Sequence, residues 1–229
     1  MCSIVHLFTR TCLVLLKVPI RLMTKTNLPR IFFVSAPNLD LSNNRFLASR
    51  LRLSDHVHLT TLKLNSNRLE QPFFYNLHVL PRLKVFECAH CHLSGVLSLP
   101  RSSTFPQLHT FSVPNNQLVG LLPQALYRMH ALETLDLSNN HLVGPLSPRI
   151  GQLGYLTTLR LHFNALTGAI PLELSECIDL KTLRLEHNRF QGPLLNLFQH
   201  GLDRLSLFSL HHNNITSLPK TLPSHVQVW

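Results

Sequence analysis

The stretch Leu156-Thr157-Thr158-Leu159-Arg160-Leu161-His162-Phe163-Asn164-Ala165-Leu166 decides how this chain folds. It reads apolar-x-x-apolar-x-apolar-x-x-Asn-x-apolar. Leu159 and Leu161 alternate with Arg160 and His162, which is the pattern of a β-strand with one buried face. A single strand of this kind cannot bury its apolar side alone, so the stretch requires equivalent strands beside it.

The same phrase occurs eight times between Ala36 and Pro219. Its second apolar position recurs at steps of 23 to 25 residues, at Leu39, Leu62, Phe86, Phe111, Leu135, Leu159, Leu183 and Phe208. A period of about 20–29 residues with leucine at these offsets is that of leucine-rich repeats. The sequence therefore predicts an α/β-type leucine-rich-repeat solenoid, with a curved parallel β-sheet on the concave face and irregular, 3-10 or short helical segments on the convex face.

The asparagine of the phrase recurs at one position of each repeat except the third, at Asn44, Asn67, Asn116, Asn140, Asn164, Asn188 and Asn213. The third repeat has Cys91 there, a substitution that the repeat pattern allows. A buried amide at this point can bond the backbone groups that are freed where the chain leaves the strand. We therefore expect these asparagines to form a buried ladder along the solenoid.

A second element follows the asparagine in several repeats. It is clearest at Leu118-Val119-Gly120-Leu121-Leu122-Pro123 and Leu166-Thr167-Gly168-Ala169-Ile170-Pro171. These residues resemble the plant-type L-x-G-x-I-P subclass of leucine-rich repeats, found in receptor-like kinases, receptor-like proteins and secreted inhibitors of polysaccharide-degrading enzymes. The resemblance covers about four-fifths of the chain. It implies a solenoid that recognises proteins or peptides in an extracellular or membrane-associated setting, with a cytoplasmic location as the alternative.

The repeats divide the chain into three parts: residues 1–35, the solenoid of about eight repeats at 36–219, and a tail or truncated repeat at 220–229. The first part is basic and has no acidic side chain. An imperfect secretory signal, an acidic-poor transit peptide and a start that lies within a longer array all fit it. Its apolar stretch is too short to span a bilayer. The paired-cysteine caps of receptor ectodomains are not evident.

Composition and motifs exclude several classes of function. With 21 Lys and Arg against 11 Asp and Glu, the formal net charge is +10, which favours acidic partners. The basic residues form no run and no nucleic-acid module is visible, so nucleic acid is not an expected partner. No nucleophile, base and orienting carboxylate can be grouped, and no catalytic motif is present, so we expect no enzymatic activity.

The five cysteines give no clear disulfide pattern. Their odd number disfavours a disulfide-stabilised secreted domain. Cys88-Ala89-His90-Cys91-His92 spells the attachment sequence of a c-type haem. The repeat register places both of its thiols inside the solenoid, where a porphyrin does not fit, so we expect buried structural cysteines and no cofactor.

The register also maps the concave surface, because the side chains between the buried leucines point to the opposite face. From the sixth repeat onward this surface becomes basic and aromatic, and its predicted partner-binding residues are Arg160, His162, Phe163, Arg184, Glu186, His187, His211 and His212. Phe163 is the strongest candidate, since an exposed aromatic flanked by arginines has the composition of a binding hot spot. Two alternatives are that its ring folds over the asparagine ladder as extra core and that the arginines only face solvent.

The histidines of this patch admit a further alternative. A divalent metal could be held there, but such clusters are more often proton-responsive, and no metal site is predicted. The sequence favours a monomeric, non-enzymatic module whose concave face binds a protein or peptide with acidic groups. A fragment of a receptor-like ectodomain is the competing hypothesis. The N-glycosylation sequon Asn214-Ile215-Thr216 marks Asn214 as a candidate glycosylation site.

Overall fold

The computed structural model describes residues 37–44, 53, 56–69, 73–99, 105–194, 197–198, 201–218 and 227–228. Within these residues the chain builds two parallel β-sheets joined by turns and 3-10 helices. The segment at 1–35 lies outside the described residues, so its role stays a prediction.

The larger sheet has nine strands, one from each repeat and a last one from the tail. In sheet order they are β1 (Asn38–Asp40), β2 (Thr61–Lys63), β3 (Val85–Glu87), β5 (Thr110–Ser112), β7 (Thr134–Asp136), β9 (Thr158–Arg160), β11 (Thr182–Arg184), β13 (Leu207–Ser209) and β15 (Gln227–Val228). Every pair is parallel, and from β1 to β13 the buried position of each strand pairs with that of the next, as Leu159 does with Leu183. The predicted concave sheet is confirmed.

The tail contributes to this sheet. Gln227 and Val228 pair with Leu207 and Phe208 of the eighth repeat. Residues 227 and 228 therefore form the last strand of the concave sheet.

The smaller sheet has six strands and was not predicted. They are β4 (Ser94–Val96), β6 (Gln117–Gly120), β8 (His141–Pro145), β10 (Ala165–Gly168), β12 (Arg189–Pro193) and β14 (Asn214–Ser217). All of them except β14 contain the glycine of the second element. Glycine permits the turn that ends the pairing: Gly168 has φ +80°, and a Cβ there would lie 3.3 Å from the Cβ of Pro145.

The convex side carries short 3-10 helices, at Phe73–Val79, Gln124–Arg128, Pro148–Gln152 and Leu172–Glu176. No α-helix occurs among the described residues. Leu126, Ile150 and Leu174 each point inward from these helices and are fully buried. The predicted convex segments are confirmed, and they close the core against the concave leucines. Among the described helices, none has the length and apolarity needed to cross a membrane.

The asparagine ladder lies between the two sheets. The side-chain amide of Asn140 donates to the carbonyls of Leu137 and Val113, each at 3.1 Å, and its oxygen accepts from the backbone N–H of Leu118 at 3.0 Å. The amide therefore joins two successive repeats. Asn67, Asn116, Asn164, Asn188 and Asn213 repeat the arrangement.

Candidate functional site

The central column of the concave face consists of the residues between the paired leucines. Strand register places Arg160 beside Arg184, with Asp136 on one side of the pair and Ser209 on the other. Parallel strands are about 4.8 Å apart, so four successive repeats meet within one small area. The predicted juxtaposition of the two arginines is confirmed.

Both arginines face a carboxylate. A guanidinium nitrogen of Arg160 lies 3.8 Å from Oδ2 of Asp136. The Nε of Arg184 donates to Oε1 of Glu186 at 2.8 Å, and Nη2 contacts the same oxygen. Burial alone would raise the pKa of Glu186, but its backbone, Arg184 and Ser209 donate hydrogen bonds that lower it below its usual value. Arg184 therefore forms hydrogen bonds to a buried carboxylate, whereas the ion pair of Arg160 with Asp136 is too long for a hydrogen bond.

Two predicted partner-binding residues are not on the surface. His162 is 6% exposed and Glu186 is 1% exposed, so the expectation that the whole set faces solvent is wrong for them. The guanidinium of Arg184 packs against Glu186, and the ring of Phe163 meets His162 edge-on at 5.7 Å between centroids. His162 and Glu186 therefore lie beneath the exposed patch and contact its side chains.

Each of these two buried residues has one buried side-chain atom without a hydrogen-bond partner: Nδ1 of His162 and Oε2 of Glu186. Burial, followed by the positive charge of Arg184, lowers the pKa of His162. The imidazole is therefore held neutral at physiological pH, and the floor of the patch is polar without a net charge from histidine.

Phe163 begins a row of aromatic rings. Its side chain is 45% exposed, and its ring stacks on that of His187 with centroids 4.1 Å apart and an interplanar angle of 12°. His187 in turn contacts His212, with centroids 4.2 Å apart. We call Phe163, His187 and His212 the aromatic row. The ring of Phe163 is thus supported from one side and open to solvent on another, rather than folded into the core.

The position that Phe163 occupies has equivalents in all eight repeats, which we call the Phe163 column, and its backbone is left-handed in every repeat. The φ angles lie between 53° and 59° at Asn43, Ser66, His90, Asn115, Asn139, Phe163, His187 and His212. Asparagine and histidine tolerate this region better than most residues, while a bulky side chain there is an outlier. Phe163 is the bulky exception in the column.

An open groove of about 480 Å³ runs beside the aromatic row. Its lining residues are Asn139, Asn140, His141, Phe163, Asn164, Ala165 and His187. Gln117, His141 and Arg189 occupy the position equivalent to Ala165 in neighbouring repeats. The small side chain of Ala165 therefore leaves this space open next to Phe163.

The groove extends the predicted patch to residues that the pattern of arginines and histidines does not indicate. Asn139, His141 and Ala165 belong to it but were not among the predicted binding residues. Comparing side-chain size at equivalent positions of successive repeats would have revealed the gap at Ala165.

The turns that follow β11 and β13 bring three histidines together. The backbone N–H of His187 donates to the carbonyl of His211 at 3.0 Å, which ties the two turns to each other. The ring centroids of His187 and His211 are 5.0 Å apart, and those of His211 and His212 are 4.8 Å apart. Desolvation, followed by the nearby His212 and His211, lowers the pKa of His187. The predicted clustering of these histidines is confirmed.

The cysteines and the sequon lie outside this patch. Cys88 and Cys91 are both fully buried, as the register predicted, and they are joined in a disulfide that the sequence analysis did not expect. Cys177 is a buried free thiol, and burial raises its pKa to about 12. Asn214 is exposed in β14, where its side chain is accessible to modification.

Comparisons with known proteins agree with this architecture. The family model for Leucine Rich Repeat matches residues 131–153 and 179–200. No curated protein matches the chain significantly in sequence. Among solved structures, the ectodomain of the Arabidopsis thaliana membrane receptor kinase GASSHO1/SCHENGEN3, in complex with CASPARIAN STRIP INTEGRITY FACTOR 2, superimposes with a TM-score of 0.72 at 30% identity. It covers 80% of this chain, which spans 24% of that ectodomain.

A second similar structure is the Arabidopsis receptor kinase HAESA in complex with the peptide hormone IDA and the co-receptor SERK1. It has a TM-score of 0.67 and 28% identity, covering 79% of this chain and 30% of the other. A plant ice-binding protein shares the fold at a TM-score of 0.60 and 20% identity, covering 78% of this chain and 64% of the other. Because one solenoid serves such different purposes, function has to be argued from the site. The chain spans about a quarter to a third of the two receptor ectodomains.

Proposed function

Because the chain is a leucine-rich-repeat protein similar to plant receptor ectodomains, we propose that it is a non-enzymatic interaction module that binds a protein or peptide on its concave face. One observation carries the proposal: Phe163, in the bend after β9, is 45% exposed and stacks on His187 beside an open groove. An aromatic ring held in place by a neighbour adds contact area at little cost in conformational entropy.

The dimensions favour an extended peptide. The aromatic row crosses three strands, which is two intervals or about 10 Å. An extended chain covers this distance in about three residues. We infer that such a segment lies across the row and places one side chain in the groove above Ala165, while neighbouring residues reach the two arginines.

The arginines favour acidic groups on the partner. The side chains of Arg160 and Arg184 are 39% and 37% exposed. The ion pair of Arg160 is too long for a hydrogen bond, so its guanidinium has donors available for a carboxylate. Asp136 and Glu186 offset the two positive charges, so complementarity at the patch should set orientation and specificity more than raw affinity.

Affinity selection tests the binding site. A random peptide library displayed on phage is selected against the full chain, and the affinities of the recovered peptides are measured by fluorescence anisotropy. Phe163→Ala combined with Arg160→Gln should weaken binding more than about tenfold, since a truncated hot-spot residue costs about 2 kcal/mol or more. Arg160 is preferred to Arg184 because removing Arg184 would leave the buried Glu186 unpaired.

The matched control uses the convex side. Arg149 is exposed in a 3-10 helix, and Tyr155 is 66% exposed in the turn between that helix and β9, so Tyr155→Ala combined with Arg149→Gln removes an aromatic ring and a guanidinium away from the patch. The control should retain full affinity. Equal binding by both double variants would place the peptide off the concave patch, and recovered peptides without Asp or Glu enrichment would reject the acidic preference.

A second candidate function is that of an ectodomain segment of a receptor-like signalling protein. The similarity to two receptor ectodomains, of which the chain spans a quarter to a third, favours it. In that case the protein lies in the extracellular or membrane-associated setting, and its ligand surface continues on further repeats. Sequencing the full-length transcript tests this, because a receptor requires an open reading frame that continues into more repeats and a membrane-spanning segment.

A further inference from the structure

We propose that His187, His211 and His212 form a binding site for a divalent transition metal ion, with Zn²⁺ as the representative ligand. The candidate ligand atoms of these three side chains all lie within 4.8 Å of one another. Among the described residues, they are the group of three or more metal-ligating side chains that comes this close together. His187 and His212 also belong to the aromatic row, but metal binding requires no peptide and is tested without one.

The backbone positions the three rings before any metal arrives. His187 and His212 occupy equivalent left-handed positions in adjacent repeats, with φ of 54° in both. His211 directly precedes His212, and its carbonyl accepts the N–H of His187 at 3.0 Å. Two neighbouring turns of the solenoid thus present three imidazoles from one rigid edge, as a metal site on regular structure requires.

The distances suit tetrahedral coordination after a small adjustment. Zn²⁺ binds histidine nitrogen at about 2.0–2.1 Å, so two ligands at the tetrahedral angle lie about 3.3 Å apart. The ligand atoms therefore have to approach by at most about 1.5 Å. His211 and His212 are exposed, so rotation about their side-chain torsions provides this movement without displacing core residues.

One wall of the site is already fixed. The ring of His187 stacks on Phe163 with centroids 4.1 Å apart, which restricts its orientation. The two exposed rings can then close onto it. Three protein ligands on an open surface leave a fourth position for water or for an oxygen of a bound molecule, which is the arrangement of non-structural zinc sites.

The ligand set determines the class of metal. Neutral imidazoles suit zinc, copper and nickel, whereas calcium and magnesium require oxygen ligands. The only carboxylate adjacent to this group in sequence is Glu186, which is 1% exposed and engaged with Arg184. The site therefore selects a transition metal and rejects the hard cations.

The test is titration of the tag-free full chain with ZnCl₂ by isothermal calorimetry, together with Co²⁺, whose visible absorption reports tetrahedral geometry. We expect one equivalent to bind and CaCl₂ to give no heat. His187→Asn and His212→Asn should each weaken Zn²⁺ binding by more than about 100-fold, because even second-shell partners contribute about 10–100-fold. Asparagine occupies the equivalent position in the first, fourth and fifth repeats, so both variants should fold.

The matched control is His90→Asn combined with His92→Asn, which removes two exposed histidines from the third repeat. It should bind zinc as the unaltered chain does, and the urea unfolding midpoint of every variant should stay close to that of the unaltered chain. Undetectable binding by the unaltered chain would overturn the proposal. So would an affinity that is unchanged in His187→Asn and His212→Asn, or lowered equally in the control, because the metal would then lie on other histidines among the 15.

Discussion

Removing one amide from the asparagine ladder should destabilise the whole solenoid. Asn140 is 5% exposed, and its side chain satisfies the carbonyls of Leu137 and Val113 and the N–H of Leu118. Asn140→Ala leaves these three buried backbone groups without that partner. Each orphaned group costs about 1–3 kcal/mol, and partial relaxation recovers some of it, so the free energy of unfolding should fall by about 3–5 kcal/mol.

An isosteric change separates hydrogen bonding from packing. Asn140→Asp keeps the volume and the acceptor for Leu118 but replaces the donating NH₂ by a second oxygen facing two carbonyls. Burial beside carbonyls should raise the pKa of this aspartate, so the variant should be most destabilised at neutral pH and recover partly as the pH falls. Cavity formation alone would predict little effect of the isostere.

Urea unfolding followed by circular dichroism measures both variants, with the free energy taken by linear extrapolation. Gln117→Ala is the control, because Gln117 is an exposed amide one residue after the ladder position Asn116. A surface change of this kind should alter stability by no more than about 0.5 kcal/mol. If Asn140→Ala and Asn140→Asp both matched the control, the ladder would not be the link between repeats that its hydrogen bonds indicate.

Three further predictions concern packing at Gly201, the reactivity of the Cys177 thiol and glycosylation of Asn214. Gly201→Ala should destabilise the protein by about 1–3 kcal/mol in urea unfolding, because a Cβ there overlaps the carbonyl oxygen of Ser175; Gly154→Ala, where a Cβ meets open space, should not. Cys177, whose pKa burial raises to about 12, should resist iodoacetamide at pH 8 in the folded protein and react once urea unfolds it; labelling at the rate of a free thiol would contradict this. Asn214 should gain a glycan on secretion, detected as a mass lost on enzymatic deglycosylation.

The concave sheet could be predicted because its determinants are local. Leu159 and Leu161 share one face of a strand by the period of two, and the 24-residue step to Leu183 fixes which strands pair. The same logic placed Arg160 beside Arg184. Both conclusions need only the repeat register.

The remaining features depend on contacts between repeats. Alternation alone puts His162 and Glu186 on the solvent side, but neighbouring side chains cover both. The groove depends on the small side chain of Ala165, at a position where neighbouring repeats have larger side chains. The smaller sheet, including β6, was missed because most of its strands contain glycine, which is depleted in strands and indicates a turn.

The left-handed backbone column has a consequence for Phe163. Left-handed backbone costs a residue other than glycine about 1–2 kcal/mol of conformational free energy. Asparagine, which occurs elsewhere in the column, is among the residue types for which this cost is smallest. Folding by itself would favour asparagine at position 163 as at 139. The aromatic side chain of Phe163 therefore lowers the stability of the fold at this position. Such a residue persists only where selection for recognition outweighs selection for stability.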